Sequence, residues 1–426
     1  MTSRFVALPV HQGDAFLLDR GDKTVLVDGG ASKKGLVPLL DKYWEKEQRV
    51  IDVVVVTHND LDHTGGIIGL LESNKYSVRE MRLPVYWQTV FDAVSNHNMR
   101  YQFCLALVNL IRYYVVATGR VRRADIKELV EEVLKWETRN NRDVWAEQNY
   151  QERYDIKRIL NIGEPVERTA DVIERCFIKR VNDRPLSDTD KGRSDLLVEV
   201  MQRSAVWESK VNIDVSAWQL IELSKYINNI TDVIFAAVRY NVLIKYYYHD
   251  HKLTIKSSKG DDFLLPVNAK EIIGQSCRIN DINRYTHFAA VQAVKSISNK
   301  YSIPFYAIET RKDSGVLFCA ECCVSPNGMS PNRTVIAAGL HHGARDNSLA
   351  YENIKKWSKK VIWVRSDWKE SPRPCQEYVD LLDTKYCTIC NKPIFDRQAV
   401  ELEDDTGEWV ARSGVRTCSC MAKKIR

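Results

Sequence analysis

The sequence lacks the features that mark a membrane or secreted protein. No run of about 18 apolar residues is present, which excludes a typical membrane-spanning helix. No secretory leader opens the sequence, because residues 1–4 run directly into a strand-like segment. The 11 cysteines are an odd number and cannot all pair within one chain. We therefore expect a cytoplasmic protein with reduced thiols, some of which bind metal.

The sequence also lacks a strong charge of one sign. Its 62 basic and 56 acidic residues leave a net charge of +6 over 426 residues, which is far less dense than in histone-like proteins. Nucleic acid is therefore compatible as a partner but is not indicated by charge alone. The 44% hydrophobic and 28% charged residues are typical of a globular protein. This composition excludes a mainly disordered protein, and the length suggests roughly two or three domains.

Both ends of the sequence carry the pattern of an α/β fold. Near the start, short apolar runs separated by Gly-Asp turns predict a β-hairpin. Helical spacing of apolar residues predicts helices over 35–48, from 67 to 72 and over 347–358. Predicted strands lie at residues 5–9, 15–19, 23–28, 51–56, 78–84, 305–310, 316–319, 334–340 and 361–364.

The middle of the sequence has a different texture from about residue 90 onwards. Long helix-like segments with few glycines lie at 103–116, 126–136 and 215–227, and a hairpin is predicted at 243–256. We therefore predict a mainly α-helical insertion over residues 91–299.

The densest chemistry follows the strand predicted at 51–56. His58-x-Asp60-x-Asp62-His63 places four metal ligands within six residues. In an extended loop, residues two apart point the same way, so His58 and Asp60 would converge on one ion and Asp62 and His63 would reach a second. Imidazole and carboxylate bind Zn²⁺ at about 2.0–2.2 Å, and paired ions activate a water as nucleophile. The pattern favours a metallohydrolase over a polar loop with incidental histidines.

This stretch resembles the metallo-β-lactamase superfamily, whose signature is His-x-His-x-Asp-His. Asp60 replaces the second histidine, a variant that is similar to the hydrolase domain of the competence protein ComEC and its relatives. Three further segments resemble motifs of that subfamily in the same order. They are the opening hairpin at 12–15 and 25–30, the strand before the metal-bridging residue at 316–321, and the final histidine motif at 341–343. The resemblance implies an α/β fold, an αββα sandwich with metals at one edge, over residues 1–90 and 300–372.

The resemblance also implies the site residues. The implied metal ligands are His58, Asp60, Asp62, His63, Glu321 and His342. Glu321 stands where the family has a shorter aspartate that bridges two ions, so a bridging role, a single ion or no ion all stay open. His341 and Asp60 are the candidate catalytic residues, with His341 as phosphate contact or proton donor, although the sequence does not settle the order of the two histidines.

One expected ligand is missing from the sequence. A third histidine for the first ion has no candidate with fitting context among His97, His249, His251 and His287. With Asp60 in the motif, the first site is rich in carboxylates, which suits Mn²⁺ as well as Zn²⁺. One or two ions are therefore expected.

The tail over residues 373–426 carries a second candidate metal site. Cys387-x-x-Cys390 and Cys418-x-Cys420 offer four thiolates for a structural Zn²⁺ at about 2.3 Å. Apolar residues between the pairs predict a small zinc-ribbon-like module: Phe395, Val400, Leu402 and Trp409. Free thiols are the alternative.

The predicted function is hydrolysis of phosphodiester bonds by a metal-activated water, as in a nuclease. Candidate phosphate and base contacts are Arg120, Arg122, Arg123, Tyr113, Tyr114 and Tyr246–Tyr248, although a solvated helix end and core aromatics explain them more simply. The alternatives are a hydrolase of a lactone, thioester or small phosphoester, and an interaction module with a degraded site. In the last case the insertion or the tail would bind a protein partner.

Overall fold

The computed structural model of the protein describes residues 3–44, 49–118, 217–255, 263–273, 282–309, 314–328, 331, 333–345, 348–367, 373–390, 398–404 and 407–421. The chain divides into two compact units. The first comprises Met1–Val85, Asp232–Gly274 and Asn299–Arg426, and the second comprises Tyr86–Thr231 and Gln275–Ser298. Arg120, Arg122, Arg123 and Phe395 lie outside the described residues, as does the helix predicted over 126–136.

Two β-sheets form the first unit. The larger sheet contains β1 (Ser3–Ala7), β2 (Phe16–Asp19), β3 (Thr24–Val27), β4 (Val50–Val55), β5 (Ser77–Pro84), β6 (Leu243–His249), β8 (Ala269–Ile272), β14 (Val400–Asp404) and β15 (Trp409–Ala411). The smaller sheet contains β7 (Leu264–Pro266), β9 (Phe305–Glu309), β10 (Ser314–Phe318), β11 (Val335–Ala338), β12 (Val361–Arg365) and β13 (Lys385–Cys387). The strand orders are β15-β14-β1-β2-β3-β4-β5-β6-β8 and β13-β12-β11-β10-β9-β7.

The pairing explains where loops gather. Strands β1, β2 and β3 pair antiparallel, as the hairpin pattern predicts. Strands β3 to β6 run parallel in the larger sheet, and β10 to β13 run parallel in the smaller one. Because the carboxyl ends of parallel strands meet at one edge, the loops after β4, β10, β11 and β12 can supply one site.

The described helices are α1 (Leu36–Tyr43), α2 (Leu61–Glu72), α3 (Val85–Ser95), α4 (His97–Thr118), α5 (Ala217–Arg239), α6 (Ile282–Ser296), α7 (Ser348–Trp357) and α8 (Gln376–Val379). In the second unit, α4 packs against α6. Among the residues that the structure describes, none of the helices combines the length and apolarity that crossing a membrane requires.

The core of the first unit lies between the two sheets. Phe5, Phe16 and Phe318 bring rings from both sheets together, with centroids 6.0–6.5 Å apart. On the other face of the smaller sheet, α7 buries Ile354 and Trp357 in a second apolar cluster. This layering of sheets and helices is compatible with an αββα sandwich.

Two segments join the sheets instead of forming separate structures. β6 pairs in parallel with β5 and antiparallel with β8, so residues 243–256 do not form the predicted local hairpin. In the tail, β13 extends the smaller sheet and β14 pairs with β1. Val400 and Leu402 were expected to pack within a separate ribbon, but they are buried in the core between the two sheets. The core buries more apolar surface than a short tail can bury by itself.

Candidate metal centre

A buried carboxylate, Glu321, lies in the loop after β10 and has four imidazoles around it. Its Oε1 is 3.3 Å from Nε2 of His63 and 3.2 Å from Nε2 of His342. Its Oε2 is 3.4 Å from Nε2 of His58 and 3.4 Å from Nε2 of His341. The structure therefore brings together side chains that are far apart in the sequence, with each carboxylate oxygen facing two histidines.

These spacings fit divalent ions. Two ligands that each bind Zn²⁺ at about 2.0–2.2 Å with tetrahedral angles lie about 3.3–3.6 Å apart, close to the observed nitrogen–oxygen distances. Nε2 of His58 and Nε2 of His63 are buried and have no hydrogen-bond partner among the described residues. Buried polar atoms without partners are costly, so an ion between them and Glu321 accounts for their arrangement.

Hydrogen bonds behind the imidazoles fix how His58 and His63 present Nε2. Nδ1 of His63 lies 2.8 Å from Oδ2 of Asp28. The Thr57 hydroxyl donates to the same Oδ2 and lies 2.9 Å from Nδ1 of His58. With the Thr57 hydroxyl donating to Asp28, its oxygen can accept from Nδ1–H of His58. In the neutral form that binds a metal, both rings would carry the proton on Nδ1 and present the Nε2 lone pair on the side of Glu321.

His342 is held in a similar way from its other side. Its Nδ1 lies 2.8 Å from the Ser366 carbonyl oxygen and 3.2 Å from Oδ1 of Asp14. The loop that carries Asp14 approaches α2 so closely that a Cβ at Gly13 would lie 1.7 Å from the Asp62 carbonyl oxygen. Position 13 therefore requires glycine. Potential ligand atoms of Asp14, His63 and His342, one from each residue, lie within 4.8 Å of one another.

The electrostatics also favour a cation. Burial lowers the pKa of His63, but the charge and hydrogen bond of Asp28 raise it well above its usual range. Burial likewise lowers the pKa of His342, while Asp14 raises it to about 10. Burial raises the pKa of Glu321, but the charges of His341 and His58 hold it well below its usual range. The negative charges of the buried carboxylates therefore stabilise positive charge among these side chains.

Asp60 and Asp62 lie at the open side of the cluster. Oδ2 of Asp60 is 3.8 Å from Nε2 of His58, and Oδ1 of Asp62 is 4.0 Å from Nε2 of His63. Their side chains are 15% and 21% exposed, whereas Glu321 is 3% exposed. Asp60 lies beside His58, whereas Asp62 and His63 lie in the first turn of α2 and not in the extended loop that was predicted.

His341 lies at the same open side, and its side chain is 18% exposed. A residue that the sequence analysis missed, Asn299, hydrogen-bonds Oε2 of Glu321 and lies 3.5 Å from Nε2 of His341. Asn299 precedes β9 in the chain and belongs to no recognised motif, so nothing in the sequence pointed to it. Asp14 and Asp28 belong to the motifs at 12–15 and 25–30. The sequence analysis included these motifs in the fold but assigned no function to either aspartate.

Residues 8–101 match the model of the metallo-beta-lactamase superfamily. Proteins of this superfamily are generally metal-dependent hydrolases that bind zinc, and the matched segment carries His58 to His63. A search of curated proteins found no match.

The other histidines considered for the first ion lie elsewhere. Burial lowers the pKa of both His249 and His287 to about 4, which is typical of neutral interior histidines. Within the described residues, the groups of candidate ligand atoms include none of His97, His249, His251 and His287.

The four tail cysteines also come together. Sγ atoms of Cys387, Cys390, Cys418 and Cys420 all lie within 4.8 Å of one another. Sγ of Cys420 is 3.8 Å from Sγ of Cys387 and 3.3 Å from Sγ of Cys390. Tetrahedral zinc bonds of about 2.3 Å place sulfurs about 3.8 Å apart, so the cluster fits a structural zinc ion.

Of the candidate base-stacking tyrosines on β6, the middle one is not available at the surface. Tyr247 is buried in the core between the sheets, with its ring centroid 5.0 Å from that of Phe305. Tyr246 and Tyr248, its neighbours on β6, are half-buried. Tyr113 and Tyr114 lie on α4, and their side chains are outside the described residues.

Proposed function

We propose that the protein is a metal-dependent phosphodiesterase that cleaves nucleic acid and has a ComEC-like site. The observation that carries this proposal is the buried Glu321 carboxylate facing four imidazoles, with two aspartates at the opening. Bound divalent ions would lower the pKa of a water and neutralise charge on a phosphoryl oxygen.

The residues divide into two unequal ion sites. His58, Asp60 and Oε2 of Glu321 would provide three ligands for the first ion, at a weaker site that is rich in carboxylates and suits Mn²⁺ as well as Zn²⁺. Asp62, His63, His342 and Oε1 of Glu321 would provide four ligands for the second ion.

The side chains at the opening would contact substrate. His341 is more exposed than the other three histidines and lies beside Asn299, so it is placed to contact a phosphate and to protonate the leaving oxygen. Asp60 and Asp62 border the same opening and would exclude a second anionic group unless ions compensate their charge.

The decisive experiment measures cleavage of single- and double-stranded DNA and RNA, and of bis-p-nitrophenyl phosphate, by the full chain with Mn²⁺ or Zn²⁺. We expect Asp62→Ala to lower cleavage to background, because it removes a ligand from the site with four ligands. Asp22→Ala, at an exposed turn, should leave cleavage unchanged. Hydrolysis of lactone or thioester substrates alone would contradict the proposal.

A further inference from the structure

Arg365 is buried between the two candidate metal clusters. It ends β12, and its side chain is 1% exposed. Its Nη1 donates to the His342 carbonyl oxygen and to Oδ2 of Asp367, each at 3.1 Å. Its Nη2 donates to Sγ of Cys420 at 3.0 Å. One guanidinium therefore contacts a ligand residue of each cluster.

The surroundings hold this guanidinium in place. A buried cation is costly without acceptors, and here Asp367 and the sulfur of Cys420 supply negative charge. The Tyr378 ring lies on another side, 5.9 Å from the guanidinium carbon. The neighbouring strand β13 pairs Cys387 with Arg365 in register, so the backbone and the side chain both join the cysteine cluster to the end of β12.

At the other end, the backbone that carries His342 needs support. Leu340, His341 and His342 have φ angles of 38°, 46° and 55°. Three consecutive residues in the left-handed region are unfavourable unless the surroundings determine them. Arg365 binds the carbonyl oxygen of His342, and the next residue, Ser366, binds its Nδ1. Adjacent residues of the chain thus clamp this ligand at its backbone and at its ring.

We propose that Arg365 is a positioning residue through which the cysteine cluster holds His342 in ligand geometry. The inference rests on the proposed function, since it requires ions at both clusters. Loss of Arg365, or of its acceptor Cys420, then weakens metal binding at the histidine cluster without removing any of its ligands. The cysteine cluster is in this sense part of the active centre.

The test measures Co²⁺ binding to the full chain. Thiolate-to-metal charge-transfer absorption reports the cysteine cluster alone, and the weaker visible bands of nitrogen and oxygen ligation report the histidine cluster. In Arg365→Gln we expect affinity at the histidine cluster to fall about 10–100-fold, the usual loss for partners behind the ligands. Arg365→Lys, which keeps the charge with fewer donors, should lose less. Cys420→Ser should lower the same affinity as Arg365→Gln does.

The control is Arg4→Gln, which removes an arginine paired with a carboxylate of the larger sheet, Glu401, and leaves Arg365 and its partners in place. Its Co²⁺ affinity at the histidine cluster should stay within about twofold of wild type. Circular dichroism identifies folded variants, and Arg365→Lys serves if the glutamine variant does not fold. Folded Arg365 and Cys420 variants with wild-type affinity at the histidine cluster would overturn this inference alone. Wild-type protein without Co²⁺ at that cluster would overturn the proposed function as well.

Discussion

The histidine cluster and the cysteine cluster differ in how they are built and in the ligands that they offer an ion. The first gathers side chains from Asp14 to His342, brought to one edge by parallel strands, and keeps Asp62 and His341 partly exposed. The second uses two cysteine pairs, with Cys387 and Cys420 separated by 33 positions, and encloses its centre with four sulfurs. Structural zinc sites are closed, whereas catalytic sites keep an open position. Under the proposed function, the contrast assigns the chemistry to the histidine cluster and a structural role to the cysteine cluster.

The largest expected effect separates the clusters completely. In Glu321→Gln, the amide removes the negative charge that faces four imidazoles, so we expect the histidine cluster to lose its ions and hydrolysis to fall to background. The cysteine cluster should keep one ion per chain. Metal analysis by mass spectrometry together with phosphodiester hydrolysis measures both.

A control for that variant is Glu401→Gln, which changes a carboxylate paired with Arg4 and Arg412 at the sheet edge. It should keep all ions. A Glu321→Gln protein with wild-type metal content would show that the carboxylate is not shared between ions.

The next effect is on stability. Cys387→Ser removes a ligand of the closed cluster, and we expect loss of one ion and a decrease in the free energy of unfolding of about 4 kcal/mol, because structural zinc contributes to folding directly. Denaturant unfolding with metal analysis measures this. The control is Cys323→Ser, which changes a half-buried thiol outside the cluster. This variant should keep the wild-type ion content. An equal decrease in the free energy of unfolding in both variants would argue against a structural ion at the cysteine cluster.

The smallest expected effect concerns the hydrogen bonds that orient the histidine ligands. Asp28→Asn weakens the hydrogen bonds that turn His63 and, through Thr57, His58; we expect metal affinity at the histidine cluster to fall about 10–100-fold. Chelator competition measures it. Asp52→Asn alters a carboxylate that accepts from Thr24 and Arg79 away from the cluster. A similar loss in both variants would assign the effect to general destabilisation.

Local patterns predicted much of the first unit. Alternating and fully apolar runs predicted most strands of both sheets near their observed positions, and the motif at 58–63 contains two of the four imidazoles around Glu321. The two cysteine pairs predicted one cluster of four sulfurs, and the four sulfurs lie together. The sequence did not predict strand β13, which places Cys387 beside β12 in the smaller sheet.

The start of α2 shows why other features were missed. The apolar pattern predicts a helix from residue 67, because Gly65 and Gly66 are poor helix formers. The helix begins at Leu61, and these glycines are required because a Cβ at Gly66 would lie 1.9 Å from the Gly29 carbonyl oxygen. Asn299 and Arg365 were missed for the same reason: their partners come from distant parts of the chain.

The pairing of β1 with β14 has a consequence for how the protein is made. Arg4 of β1 donates a hydrogen bond to Glu401 of β14, which is 397 positions away in the chain. Closing so long a loop is slow, and an edge strand without its neighbour is open to wrong partners. During synthesis, β1 leaves the ribosome long before β14 exists, so we expect this side of β1 to stay unpaired until residues 400–404 have been made.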